Sequence, residues 1–307
     1  MIAAGAIAKT RLLPGRAGEE RAAVEGAWAG PICEGDSRDS RAVECRLRAL
    51  DCPGGKGLPL ERHRRGNDWD YSKPMRYIFA PPPHAAVRIV GSTGWFPVHR
   101  VYCVARNFAD HAQEMGASGR EPPFFFMKPA DAVLSVNEGE TGVLRYPTLT
   151  RELHHEVELV AAMRAGGTNL TPADAERCIY GYAVGLDMTR RDLQSEAKKL
   201  GRPWCIAKGF DRSAPVGGLT PAAWIDDISK IEIILEVNGV RRQHGRVRDL
   251  IWSVPEIIAH LSSAWELKPG DLIFTGTPAG VGPVNLTDLM TARGTGLAEL
   301  RVRVMRA

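Results

Sequence analysis

The sequence predicts an α+β fold, mostly β, with short helices flanking a core of strands. Three observations point that way. Short β-type runs recur from Val87 onward: VHRVYCVA at 98–105, FFFMK at 124–128, LHHEVELVAAM at 153–163 and CIYGYAVGLD at 178–187. KIEIILEVNGVRRQHG alternates Ile with Glu and then reaches Asn238-Gly239, a two-residue hairpin turn. The helical signals between these runs are short, so the chain does not read as a series of βαβ units.

Each helix carries its own punctuation. Asn107 caps a short helix over 109–115. Thr171-Pro172-Ala173-Asp174 is a capped start with Pro preset for the first turn. Residues 192–200 form a helix stopped by Gly201. Ser253 and Glu256 make a capping box for a helix to about Trp265, and Lys268-Pro-Gly-Asp then turns the chain into LIFTG. There is no internal repeat.

With 307 residues, 44% hydrophobic and 25% charged, the chain can bury a substantial core. The net charge of +4 is spread thinly, with no basic stripe interleaved with aromatics, which argues against nucleic acid as a partner. Charge or Gly breaks every apolar stretch before it reaches membrane-spanning length, so a soluble protein is expected. The cysteines at 33, 45, 52, 103, 178 and 205 form no C-x-x-C pair and no zinc-spaced cluster; a reducing, cytoplasmic compartment fits them. The opening MIAAGAIAKTRLL lacks a basic residue ahead of its apolar stretch and is not expected to act as a signal peptide.

Residues 1–74 are rich in Arg, Gly and Pro and show almost no apolar period. They are expected to be either an over-extended reading frame, with Met75 the natural start, or a disordered extension. Residues 75–98 read as a short lead-in and 99–307 as the catalytic domain.

The run ELHHEVELV, 152–160, is too polar for an ordinary core strand. On a strand Glu156 and Glu158 project to one side, their Cα atoms roughly 6–7 Å apart, while Val157 and Leu159 face the core. Two shielded carboxylates need a proton or a cation between them. Asp187 offers a third oxygen, and an all-oxygen set suits Mg²⁺, Mn²⁺ or Ca²⁺. An exposed strand face would explain the same alternation. A zinc protease is excluded, because Leu159 stands where H-E-x-x-H needs its second histidine.

Three further phrases carry chemistry. In ARNFADHAQEM, 105–115, His111 and Glu114 are three apart on the expected helix, the outline of a water-activating pair, although a helical surface pair looks the same. LDMTRRDLQ and WCIAKGFD bring Arg191, Gln194 and Lys208 near the strand ending at Asp187, which implies an anionic ligand; Arg190 and Arg191 would also suit a solvated helix start. FTGTPAGVG, 274–282, is neither a Walker loop nor a dinucleotide fingerprint, and either holds Thr277 against a small ligand or is a plain turn.

Taken in order, R-N-x-x-x-H-x-x-E, F-x-K-P, E-x-E, D-x-T-x-R-D-x-Q, a Lys before Gly-Phe-Asp, the Asn-Gly hairpin and T-G-T-P-x-G-V-G resemble the fumarylacetoacetate hydrolase family over about residues 76–307. HHEVELV and GYAVGLDMTRRDLQ look most like its bacterial fumarylpyruvate hydrolases of gentisate breakdown. The resemblance implies a β-sandwich or roll and a homodimer. It implies a divalent metal, Mg²⁺ or Mn²⁺, on Glu156, Glu158 and Asp187, and a water-activating pair, His111 and Glu114, on a lid. Arg106, Lys128, Arg191, Gln194, Lys208 and Thr277 fall on the substrate side. Ala105 and Phe108 depart from the family's frequent Gly and Tyr.

The implied reaction is hydrolytic carbon–carbon cleavage of an acylpyruvate, a small anionic keto acid, with 3-fumarylpyruvate giving fumarate and pyruvate. Lys208 and Gln194 would steady the oxyanion, and Arg106 or Arg191 would pair with the far carboxylate. Oxaloacetate decarboxylation and isomerisation of a 2-hydroxy-dienoate are near rivals on the same site; a non-enzymatic ligand-binding module is a distant one.

Overall fold

The computed structural model describes residues 77–108 and 120–307. The extension 1–74, Met75, Arg76 and the segment bearing His111 and Glu114 lie outside them.

Two sheets dominate the described residues. The larger, eight-stranded and curled, runs Phe124–Lys128, Val101–Ala105, Leu272–Phe274, Val157–Met163, Ile179–Leu186, Ala214–Val216, Val133–Ser135, with Thr220–Pro221 added beside Ile179–Leu186. Most neighbours are antiparallel; Leu272–Phe274 runs parallel to Val101–Ala105, and Ala214–Val216 to Val133–Ser135. The second sheet has five strands, ordered Val240–Arg246, Glu232–Val237, Leu289–Gly294, Leu300–Met305, Gly142–Arg145. Its Asn238-Gly239 turn forms as expected, both residues in the left-handed region (φ 53° and 78°), as a tight hairpin requires.

The pleat divides the core in two. Along Val157–Met163 every residue is buried. Val157, Leu159, Ala161 and Met163 face Ile233, Leu235, Leu300 and Val302 of the five-stranded sheet, while Val160 and Ala162 point the other way, onto Val101, Cys103, Leu272 and Phe274. Val87, Phe96 and Val98 of the lead-in pack into this second cluster. Glu158 shares its parity, so its carboxylate projects from a strand buried on both faces.

The helices follow their signals. Pro172–Arg177 is capped by Thr171, whose hydroxyl accepts from the Asp174 N–H at 3.2 Å. Arg191–Lys199 ends before Gly201, which turns with φ 62°. Val254–Ala264 begins where the Glu256 carboxylate accepts from the Ser253 N–H at 2.9 Å. The helix expected after Asn107 lies outside the described residues. No helix among those residues is long and apolar enough to cross a membrane.

The run 153–163 is not one strand. Leu153–His155 pairs with Thr189–Arg190 and Gly282–Pro283 in a separate three-stranded sheet, and Val157–Met163 joins the large one. Glu156 is the hinge between them. Its carbonyl accepts from the Asp187 N–H at 2.8 Å, tying that hinge to the end of Ile179–Leu186.

Candidate metal centre and its cleft

The break at Glu156 brings the three acids together by a route that strand alternation alone does not provide. Glu158 sits opposite Gly185 in the ladder, Asp187 follows two residues later, and the Glu156 carbonyl is bonded to the Asp187 N–H. One carboxylate oxygen from each lies within 4.8 Å of the others, and all three residues are buried, at 6%, 2% and 1% exposure. That burial removes the exposed-face explanation for the E-x-E alternation.

Cations surround the cluster unevenly. The Lys208 ammonium donates to Glu156 Oε2 at 2.8 Å and to Asp187 Oδ2 at 2.6 Å. Arg191 pairs with Glu156 Oε1, which also accepts from Thr189 at 3.2 Å. Burial works to raise the Glu156 carboxyl, but Lys208 and Arg191 outweigh it and hold it below its ordinary value. Burial likewise works to lower Lys208, and Asp187 and Glu156 reverse it, so the ammonium stays charged.

Glu158 has no such partner. Burial pushes its carboxyl well above the ordinary carboxylate range, and Asp187 and Glu156 push the same way; the Gly276 N–H, 2.7 Å from Oε2, opposes them only in part. The Lys128 ammonium lies 2.8 Å from Asp187 Oδ1 but out of line for a hydrogen bond, so this buried oxygen has no donor. A buried carboxylate without a counter-charge and an acceptor without a donor are what a divalent cation would relieve. The oxygen-only set suits Mg²⁺ or Mn²⁺.

The expected substrate-side residues divide into two groups. Arg106, Arg191, Gln194, Lys208 and Thr277 line one cleft with the three acids. Lys128 does not line it: the side chain is buried, donating to the Met188 carbonyl at 3.2 Å and to the Lys208 carbonyl. Gln194 gives its oxygen to Arg191 Nη1 at 2.5 Å, which leaves its amide N–H groups as donors. The Thr277 hydroxyl donates to the Val157 carbonyl at 2.9 Å.

Two features escape the sequence reading. Gln243, 1% exposed, accepts from the Val157 N–H at 3.0 Å, bonds His155 Nδ1 at 2.8 Å and donates to Thr277 at 2.8 Å and to the Pro278 carbonyl at 2.9 Å. It thereby braces the hinge from the hairpin. Lys198 and Trp204 also line the cleft. Lys198 was legible in principle, since Arg191, Gln194 and Lys198 fall at i, i+3 and i+7 on one helical face.

Comparison with known proteins agrees with this geometry. The family model for the fumarylacetoacetate (FAA) hydrolase C-terminal region matches residues 100–305. A fumarylpyruvate hydrolase from Pseudomonas aeruginosa, solved with Mn²⁺ and pyruvate, is 52% identical with a TM-score of 0.74, over 76% of this chain and 100% of that one. A putative fumarylpyruvate hydrolase from Burkholderia cenocepacia is 48% identical with a TM-score of 0.70, over the same shares of each chain. Among curated relatives, the mitochondrial oxaloacetate tautomerase FAHD1 of Arabidopsis thaliana is 41% identical over 207 residues, 67% of this chain and 91% of that protein.

Proposed function

The chain belongs to the fumarylacetoacetate hydrolase family, and we propose that within it the protein hydrolyses an acylpyruvate, with 3-fumarylpyruvate as substrate and fumarate and pyruvate as products. Water adds across the bond between the methylene and the distal ketone. The observation that carries this reading is the charge of the buried site. Lys128, Lys208 and Arg191 balance Glu156, Glu158 and Asp187, and Arg106 and Lys198 add two further cations in the cleft. A divalent ion held by Glu156, Glu158 and Asp187 makes that balance strongly positive, so the ligand is an anion, best a dianion. Pyruvate in the Mn²⁺-containing Pseudomonas aeruginosa structure supports the choice of product.

When bound, such a metal supplies a Lewis acid for a 2-oxo acid. The rest is the chain's own chemistry. Lys208 and the free amide N–H groups of Gln194 are donors for an oxygen that becomes anionic as the bond breaks. His111 and Glu114, assigned from the RNFADHAQE phrase, take the proton from the attacking water.

A second reading, oxaloacetate tautomerase, is favoured by the 41% identity to the Arabidopsis thaliana protein; it moves one proton between carbon and oxygen and needs no attacking water. The test is to supply the full chain with Mn²⁺ or Mg²⁺ and offer 3-fumarylpyruvate, acetylpyruvate and oxaloacetate. Metal-dependent release of fumarate and pyruvate in equal amounts, at least tenfold ahead of the other substrates, is expected, with a loss of at least 100-fold in His111→Ala. Faster enol-to-keto conversion of oxaloacetate without fumarate release overturns the hydrolase reading.

A further inference from the structure

We propose that Lys198 and Arg106, set against the aromatic wall of Trp204 and Phe124, form a distal carboxylate subsite that selects acyl groups ending in an acid. The inference rests on the acylpyruvate reading, and it replaces the choice between Arg106 and Arg191 for the far carboxylate with Arg106 and Lys198 acting together.

Arg191 is the obvious residue for a far carboxylate, but its guanidinium is committed to Glu156 and to Gln194. Lys198 and Arg106 are not so committed: no carboxylate among the described residues pairs with either. Both line the cleft. Burial, then Arg191 and Arg106, hold the Lys198 ammonium below its ordinary value, the mark of a cation without a counter-ion. An arriving carboxylate would supply one.

The aromatic groups give the subsite its shape. The Lys198 ammonium lies 5.1 Å from the Trp204 ring centroid, and the Arg106 guanidinium 5.9 Å from that of Phe124. Phe124 meets Trp204 edge to face at 5.3 Å. The two cations are thus held on neighbouring rings that meet nearly at right angles, with Trp204 lining the cleft and Phe124 behind it.

Arg106 is placed there at a cost. Its backbone is left-handed, φ 59°, which is unfavourable outside glycine. The next residue holds the turn: the Asn107 amide donates to the carbonyls of Trp252 at 2.9 Å and Thr275 at 2.8 Å and accepts from the Trp252 N–H at 2.8 Å. A conformation maintained by three bonds aims a cation at the cleft.

Length decides between substrates. Lys198 lies seven residues beyond Arg191 on the same helix, roughly 10 Å along its axis. In 3-fumarylpyruvate the far carboxylate is five bonds from the 2-oxo carbon, about 6 Å in extended form, against two bonds in oxaloacetate. The long lysine side chain closes the difference for the former far more readily than for the latter.

The subsite is tested by titrating fumarate into the Mn²⁺-loaded full chain by calorimetry, for wild type, Lys198→Gln, Arg106→Gln and Lys198→Arg, with pyruvate as the probe of the inner site. Fumarate affinity is expected to fall at least tenfold in Lys198→Gln and in Arg106→Gln and to recover in Lys198→Arg, with pyruvate affinity moving less than threefold. On turnover, Lys198→Gln should raise KM for 3-fumarylpyruvate at least tenfold and for acetylpyruvate less than threefold. No saturable fumarate binding to wild type, or equal binding to Lys198→Gln, overturns the subsite. If fumarate binding falls as expected and 3-fumarylpyruvate is not cleaved, the subsite stands and the hydrolase reading fails.

Discussion

Gln243→Leu is the sharpest test of how the hinge at Glu156 is held. Leucine keeps most of the volume and removes four polar contacts. Two of them are with groups that become stranded in the core: the Val157 N–H, 3.0 Å from the Gln243 oxygen, and His155 Nδ1, 2.8 Å from it. The imidazole can move its proton to the other nitrogen and escape part of the loss; the peptide N–H cannot. At about 1–3 kcal/mol for each buried unsatisfied group, and with Thr277 and the Pro278 carbonyl also losing a donor, the expected loss is about 3 kcal/mol. For a domain of this size that corresponds to a melting shift of roughly 6–12 °C. Urea unfolding of the metal-free protein measures it directly, as a fall in the midpoint at constant slope. Mn²⁺ affinity should fall as well, because the same side chain braces Val157, which lies between two of the three acids. A loss below 1 kcal/mol with unchanged Mn²⁺ affinity would refute the bracing argument.

Glu158→Gln is expected to act in opposite directions with and without metal. Without metal, burial, Asp187 and Glu156 make Glu158 take up a proton near neutral pH at a cost in stability, and the amide avoids that cost; in chelator the variant should therefore be more stable than wild type by about 1–2 kcal/mol, whereas its Mn²⁺ affinity, read by calorimetry, should drop at least 100-fold. Gly276→Ala should destabilise by about 2–3 kcal/mol in chemical denaturation, since φ is 104° and an added Cβ would sit 2.7 Å from that of Asn107. Asp192 accepts from the Thr150 hydroxyl at 2.5 Å and the Arg151 N–H at 2.9 Å, and Asp192→Asn should cost about 1 kcal/mol in urea at neutral pH. Burial works to raise that carboxyl, but these bonds lower it, so its stabilisation is present above the ordinary aspartate range and is lost as pH falls through the lower folded value. The difference between wild type and Asp192→Asn should therefore narrow in acid, and a gap that widens would contradict the assignment.

What the sequence shows clearly is whatever depends on local spacing. The Asn238-Gly239 hairpin, the Thr171 cap and the Ser253–Glu256 pair are complete within a few residues and can be read without knowing the fold. Glu158 was readable from its two-residue period. Glu156 was named on the same period, but the break in the strand that carries it to the cluster was not readable, because strand partners from residues 189–190 and 282–283 set it. Gln243 sits in VRRQHGR, a run that reads as an exposed edge, and only its inward parity with Gly245 hints at burial. Lys128 was expected beside substrate on the strength of the F-x-K-P phrase, and nothing local indicates that its side chain turns inward to two carbonyls. His111 and Glu114 lie outside the described residues, so the sequence alone speaks for them.

The charges of the cleft also determine how its ligands must affect one another. Without metal, Glu156 and Asp187 face Lys128, Lys208 and Arg191, while burial and its two acidic neighbours favour the protonated form of Glu158. A divalent ion that displaces the Glu158 proton still leaves the site with positive charge in excess, with Arg106 and Lys198 already uncompensated nearby. An anion entering next is therefore bound partly by the ion and partly by the excess it creates, and by linkage the anion must tighten the ion by the same factor. Measured in one buffer, the Mn²⁺ affinity of the protein should rise with pyruvate and rise further with a dicarboxylic 2-oxo acid that reaches Lys198. Equal effects of the two would mean that the outer cations lie beyond the ligand's electrostatic reach, and the charge argument for a dianionic substrate would lose its basis.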